Sequence, residues 1–112
     1  MVVKREVPRR SHVYFVNFSP TKGHEQRGVR PAVVVTSDEY NLRAGMAVVC
    51  PLTSERKGYP FEVVCDVEGI RGVILVDQVC ALDWQARRFQ EHSALPENVF
   101  AEVQAKLHAL FR

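Results

Sequence analysis

Two uninterrupted apolar runs constrain this chain more than anything else in it: Pro31-Ala32-Val33-Val34-Val35-Thr36 and Met46-Ala47-Val48-Val49-Cys50-Pro51-Leu52, separated by one short polar stretch. A strand with one wet face alternates apolar and polar side chains. A run without alternation predicts a strand buried on both faces. A chain of 112 residues has to cover both, and a domain this size buries a smaller share of its surface than a larger one. The expectation is a single domain over residues 1–112. An apolar content of 46% supplies a core, and dimerisation would add buried area.

The surrounding segments fit that plan. His12-Val13-Tyr14-Phe15-Val16-Asn17-Phe18 is β-branched and aromatic and stops at Ser19-Pro20, a strand ended by a turn signal. Residues 19–29 are polar, with Gly23 and Gly28, and predict a long exposed loop of the kind that often carries function. Residues 38–45 read as helix or coil, and Ser54 to Tyr59 as a second polar loop. Residues 60–67 and 72–76 read as strands on either side of a turn at Glu68-Gly69, and 77–88 as a strand followed by a loop. In the tail, Pro96 suits the first turn of a helix. Val99, Val103, Leu107 and Leu110 then recur at helical spacing beside Phe100 and Phe111. The order predicts a mainly β fold with a C-terminal helix, a small curled antiparallel barrel.

Composition excludes several classes. No apolar run reaches the roughly 18 residues of a membrane span. Met1-Val2-Val3-Lys4-Arg5-Glu6 leads into Pro8-Arg9-Arg10 with no signal-peptide core, so the expected location is the cytoplasm. Cys50, Cys65 and Cys80 form no Cys-x-x-Cys pair, which argues against a disulfide framework or a zinc ribbon and for buried thiols packed as small hydrophobes. His12, His24, His92 and His108 lack metal-ligand spacing, and neither a Walker loop nor a Gly-x-Ser-x-Gly elbow is present. No metal or cofactor is expected. The net charge of +2 conceals an asymmetry: residues 1–30 hold seven basic side chains against two acidic, and the rest eight against eleven. A basic leading segment suits a polyanion contacted locally, although Arg5, Arg9 and Arg10 also fit ordinary solvated surface.

Four features carry candidate chemistry. The stretch Gly23-His24-Glu25-Gln26-Arg27-Gly28-Val29-Arg30-Pro31 crowds an acid, an amide and arginines into a glycine-flexed loop before a buried strand; by itself it is also what a solvated loop looks like. Thr53 closes the second apolar run, where a plain strand-end threonine would sit too. Ser54, Lys57 and Tyr59 occupy the adjoining loop, a cation and an aromatic suited to phosphate pairing and base stacking, or else a Gly-Tyr-Pro turn with its ring folded onto the barrel. Val76-Asp77-Gln78-Val79 is the fourth, and equally reads as a hydrogen-bonded corner.

Together these residues resemble the MazF/PemK family of toxin endoribonucleases. The family signature Gly-x-Glu-Gln-x-Gly-x-Arg-Pro matches Gly23, Glu25, Gln26, Gly28, Arg30 and Pro31, and Thr53 matches the threonine closing the next long strand. Lys57-Gly58-Tyr59-Pro60-Phe61-Glu62-Val63 and Asp77-Gln78-Val79 also resemble members, so the likeness runs from about His12 to the final helix. The resemblance implies an SH3-like barrel of the MazF/CcdB type, a homodimer, cleavage of messenger RNA at short single-stranded sequences with arrest of translation and growth, and a cognate antitoxin whose acidic disordered tail blocks the groove. One departure stands out. Members often begin the first strand with Gly-Asp and end it in an acid before proline; this chain has Ser11-His12 and Asn17-Phe18-Ser19-Pro20, so no role for those acids carries over.

The chemistry implied needs no metal. The RNA 2′-hydroxyl attacks the adjacent phosphate, leaving a 2′,3′-cyclic phosphate and a 5′-hydroxyl, a route closed to DNA. Arg30 is expected to stabilise charge on the phosphate, since a guanidinium fork matches phosphate oxygens, and Thr53 to donate a hydrogen bond to it. Guanidinium groups keep their proton at neutral pH, so Glu25 is the preferred base, with a salt bridge to Arg30 as its other role. Gln26, Arg27, Ser54, Lys57 and Tyr59 are expected to bind the RNA strand. Two alternatives remain: a CcdB-like gyrase poison, which makes Glu25, Arg30 and Thr53 dispensable, and a catalytically inactive RNA-binding barrel.

Overall fold

The computed structural model describes residues 6–19 and 28–112. Among these residues, seven strands, all paired antiparallel, form one sheet: β1 (His12–Asn17), β2 (Val29–Val34), β3 (Met46–Thr53), β4 (Glu62–Val67), β5 (Ile70–Leu75), β6 (Cys80–Asp83) and β7 (Gln90–Ala94). The described residues also form two helices, α1 (Asp38–Ala44) and α2 (Glu97–Leu110), and a 3-10 turn at Val76–Gln78. The strand order is β4-β5-β3-β2-β1-β7, with β6 also paired to β3.

The long strand β3 explains the curl. One of its edges carries β2, through Cys50↔Val33 and its neighbours. Its other edge is shared: β6 takes Met46 to Val49, and β5 takes Leu52 and Thr53. A strand that changes partner midway sends the sheet in two directions, and the result is a curled half-barrel with β4 and β7 as its ends.

The double-sided burial expected of the apolar runs is present. Val33, Cys50 and Leu52 join Val13, Ile74, Phe100 and Val103 in one core, covered by α2. Ala32, Val34, Ala47 and Val49 join Tyr14, Val16, Trp84 and Phe89 in a second core on the opposite face. At roughly 25 cal/mol per Å² of apolar surface removed from water, these two layers are the main favourable contribution to folding. Cys50 and Cys65 are buried free thiols and Cys80 is partly buried, packed as small apolar side chains.

Local signals account for the helices. Ser37 caps α1 by accepting the Tyr40 amide at 3.1 Å. Within α1, Asn41 is fully buried and satisfied: its amide donates to the Pro8 carbonyl at 2.8 Å, its side-chain oxygen accepts from the Thr36 hydroxyl, and its backbone carbonyl accepts from the Trp84 indole at 2.8 Å. Pro96 stands at the N-cap of α2, one residue before the first turn expected for it. Phe100 and Val103 are the buried side chains of α2, whereas Phe111 is 73% exposed.

One strand departs from the sequence reading. β7, Gln-Glu-His-Ser-Ala, has no apolar alternation and, among the described strands, pairs with β1, across a bulge between Val13 and Tyr14. Its strand character comes from backbone pairing to β1 rather than from side-chain burial. The segment after Asp77, read as strand then loop, is a 3-10 corner, the short strand β6 and a turn.

Candidate active site

Arg30 lies near the start of β2 and Thr53 at the end of β3, neighbouring antiparallel strands. Because the strands run oppositely, the beginning of one meets the end of the other. Residues 23 positions apart in sequence thus line a single pocket of about 260 Å³, shared with Pro31, Leu52, Ser54 and Arg71. The pocket floor is apolar through Pro31 and Leu52, and its rim carries two guanidinium groups and two hydroxyls.

The Thr53 hydroxyl accepts a hydrogen bond from the Glu55 amide at 3.2 Å. That bond uses a lone pair and leaves the hydroxyl proton to be donated, so a strand-end turn and a phosphate-directed donor are compatible in the same side chain. β5 approaches the same end of β3, with Val73 opposite Thr53. Gly72 makes the approach possible, because a Cβ there would overlap the Thr53 carbonyl.

Beyond Ser54 the chain runs out into the loop bearing Lys57 and Tyr59, both exposed, Tyr59 at 59%. The ring is therefore not folded onto the barrel. Glu62, at the start of β4, reaches back into this loop: its carboxylate accepts the Gly58 amide at 2.9 Å and the Lys57 amide at 3.2 and 3.3 Å.

Glu25, Gln26 and Arg27, with Gly23 and His24, lie outside the described residues. The chain on either side of them is hydrogen-bonded together. The Gly28 amide donates to the Ser19 hydroxyl at 2.9 Å, the Phe18 amide to the Gly28 carbonyl at 2.8 Å, and the Arg87 guanidinium to the Ser19 carbonyl at 2.8 Å. Asn17 and Ser19 use their side-chain oxygens to take up the backbone amides of Ser19 and Gly28. Of the three groups expected to carry the chemistry, the structure thus brings Arg30 and Thr53 together.

Sequence reasoning missed Arg71, Gly72 and Glu62. The turn at Glu68-Gly69 was legible, and counting on from it would have put Arg71 on the strand beside β3. Arg71 is paired through Nε with Asp66 at 3.3 Å, both side chains exposed, an arrangement of little energetic weight. Asp77 and Gln78 form the 3-10 corner, whose Val79 amide donates to the Val76 carbonyl at 3.3 Å, and they do not line this pocket. Among the described residues, no group of three or more His, Cys, Asp or Glu side chains is gathered as a metal site.

Known proteins share this architecture and sequence. Residues 9–111 match the family model for PemK-like, MazF-like toxins of type II toxin–antitoxin systems. The endoribonuclease toxin MazF of Escherichia coli K12 is 40% identical over 109 residues, covering 97% of this chain and 98% of that one. The endoribonuclease PemK of Escherichia coli is 33% identical over 115 residues, covering 98% and 86%. The crystal structure of MazF from Deinococcus radiodurans superposes with a TM-score of 0.87 at 44% identity, covering 94% of this chain and 96% of that one. A MazE–MazF complex from the same organism superposes at 0.83, with the same identity and coverage.

Proposed function

The chain belongs to the PemK-like, MazF-like toxins of type II toxin–antitoxin systems, and from that membership we propose that it is an endoribonuclease cutting single-stranded RNA, messenger RNA included, at short sequences. The observation that carries this reading is the shared pocket: Arg30, Thr53 and Arg71, from three strands, surround one space of about 260 Å³, large enough for a phosphate group and edged with cations and a hydroxyl.

In the proposed reaction the 2′-hydroxyl oxygen attacks the adjacent phosphorus, its proton passing to Glu25. The P–O5′ bond breaks, the 5′ oxygen takes a proton from water, and a 2′,3′-cyclic phosphate remains. Arg30 binds the phosphate oxygens as charge builds on them, and Thr53 donates a hydrogen bond to the same group. Ser54, Lys57 and Tyr59, with Gln26 and Arg27, hold the flanking strand. The proposed route calls on no metal ion.

The partners follow the relatives. A cognate antitoxin with an acidic disordered tail is proposed to cover the basic site, as a folding-on-binding segment can wrap a large surface. A second copy of the chain is proposed as the other partner. A hollow of about 530 Å³ lined by Val35, Val48, Val79, Leu107 and Phe111 offers it apolar surface. No described helix is long and apolar enough to cross a membrane; residues 1–112 are taken as one toxin domain acting in the cytoplasm. The relatives' names favour the nuclease over the gyrase-poison and inactive-barrel alternatives.

The test is incubation with a mixed RNA in excess EDTA, followed by mapping of cut positions and end groups. The expected outcome is site-limited cuts ending in 2′,3′-cyclic phosphate and 5′-hydroxyl. RNA left intact, or cuts that disappear with EDTA, would overturn the reading.

A further inference from the structure

We infer that Glu62 is a positioning residue for RNA, its buried carboxylate pinning the loop that presents Lys57 and Tyr59 to the strand leaving the pocket. This rests on the endoribonuclease reading above and extends it to a residue outside the pocket.

Glu62 is only 8% exposed, and carboxylates are almost never buried without a partner. Its hydrogen-bond partners are backbone amides. Oε1 accepts from Gly58 at 2.9 Å and from Lys57 at 3.3 Å, and Oε2 accepts from Lys57 at 3.2 Å. Hydrogen bonds to an ionised acceptor are roughly twice as strong as neutral ones, and two successive amides turned onto one anion form a small nest. Gly58 holds a φ of +78°, a conformation that glycine adopts freely, which lets its amide turn inward. The Glu62 amide closes the loop by donating to the Tyr59 carbonyl at 3.1 Å.

While the Lys57 and Gly58 amides turn in, the side chains of Lys57 and Tyr59 on this loop are both exposed. The other end of the loop is fixed at the pocket, where Ser54 lines the wall and Thr53 accepts the Glu55 amide. The loop is therefore held at both ends by side chains, with a cation and an aromatic ring displayed between them. Such a pair suits the phosphate and base of a single strand. A third contact ties the device to the fold: the Lys106 ammonium on α2 donates to the Glu62 backbone carbonyl at 2.9 Å while pairing with Glu102 at 3.4 Å. Without the pin, Lys57 and Tyr59 would have to be ordered by the RNA itself, and binding would weaken by that ordering cost.

The test compares wild-type protein, Glu62→Gln, the double variant Lys57→Ala/Tyr59→Ala, and the triple variant, on an RNA extending several nucleotides beyond the cut on both sides. Glu62→Gln is expected to raise KM about tenfold, the scale of one lost charge-assisted bond, with kcat within about twofold. In the Lys57→Ala/Tyr59→Ala background the same change is expected to add nothing, because the loop then has no side chains left to present. A role in stability alone would cost the same in both backgrounds. An unchanged KM, a fall in kcat alone, or equal losses in the two backgrounds would overturn the inference while leaving the nuclease reading intact; wild-type protein that leaves RNA uncut would overturn both. Amide exchange on wild-type protein gives an arm that needs no variant. The Lys57 and Gly58 amides should exchange more slowly than that of Arg56, and equal rates would count against the pin.

Discussion

Gly72 lies against the carbonyl of Thr53 so closely that a methyl group at position 72 would overlap it. The end of β3 and the middle of β5 are thereby pressed backbone to backbone, with Val73 opposite Thr53, and the pocket wall bearing Arg71 comes within reach of the wall bearing Arg30. Gly72→Ala must separate these strands. We expect a destabilisation of about 1–3 kcal/mol, the usual cost of overpacking, read by denaturant melts. Cleavage should fall further than the lost folded fraction explains. Wild-type stability and rate together would show that the close approach does not matter.

Thr53→Val keeps the shape of the side chain and removes its proton donor. The Glu55 amide loses its acceptor but sits at an exposed residue, where water replaces it. The melting temperature should stay near that of the wild type while the cleavage rate drops about a hundredfold, the lower end of what one transition-state donor contributes. Thr53→Ser, which restores the hydroxyl, should recover most of the rate. Cleavage by Thr53→Val at the wild-type rate would remove the residue from the mechanism.

Arg30→Ala is expected to abolish cleavage with the fold retained, since Arg30 is exposed on a strand whose buried residues are Ala32, Val33 and Val34. Arg30→Lys keeps the charge and loses the planar fork that matches phosphate oxygens, so its activity should fall between the two. Matched circular dichroism and gel assays decide the matter; substantial cleavage by Arg30→Ala would exclude it as the phosphate-stabilising group.

Arg71 faces the same pocket on the third strand. Its removal should weaken binding to all RNA sequences alike and lower the slope of log Kd against log salt by about 0.7, the value for one phosphate contact on a single strand. A slope equal to that of the wild type would leave Arg71 a surface residue paired with Asp66.

The buried core sets an alkaline limit on stability. Burial pushes the Cys50 thiol from 9.0 up to about 12, with Cys80 and Asp77 adding to it, and burial chiefly pushes the Tyr14 hydroxyl to about 12, against the Arg9 amide bond and with help from Glu91. A raised folded pKa means that the unfolded chain ionises first. For Cys50, the stabilising contribution is complete below about pH 9 and is lost as pH rises towards 12. Melting temperature should therefore fall across that window, and Cys50→Ala should fall less steeply than wild type. Parallel curves for the two proteins would contradict the assignment to Cys50.

By itself, the sequence determined the elements whose cause is local. The apolar runs at 31–36 and 46–52 demanded cover on both faces and received it. The helical spacing of Val99, Val103 and Leu107 required a helix, and the glycine, acid and arginine pattern before Pro31 marked a candidate segment, of which Arg30 and Pro31 line the pocket. Only the tertiary structure decided what depends on register. Whether Arg30 meets Thr53 is set by how far β2 slides along β3, and which cation joins them is set by β5 reaching the end of β3, as Gly72 allows. β7 carries no apolar pattern of its own and exists because β1 offers it a row of backbone partners. The sequence assigned Glu62 no role of its own, and only the folded loop turns two amides onto it. Side-chain periodicity is written along the chain, whereas hydrogen-bond pairing between distant segments is a property of the assembled sheet.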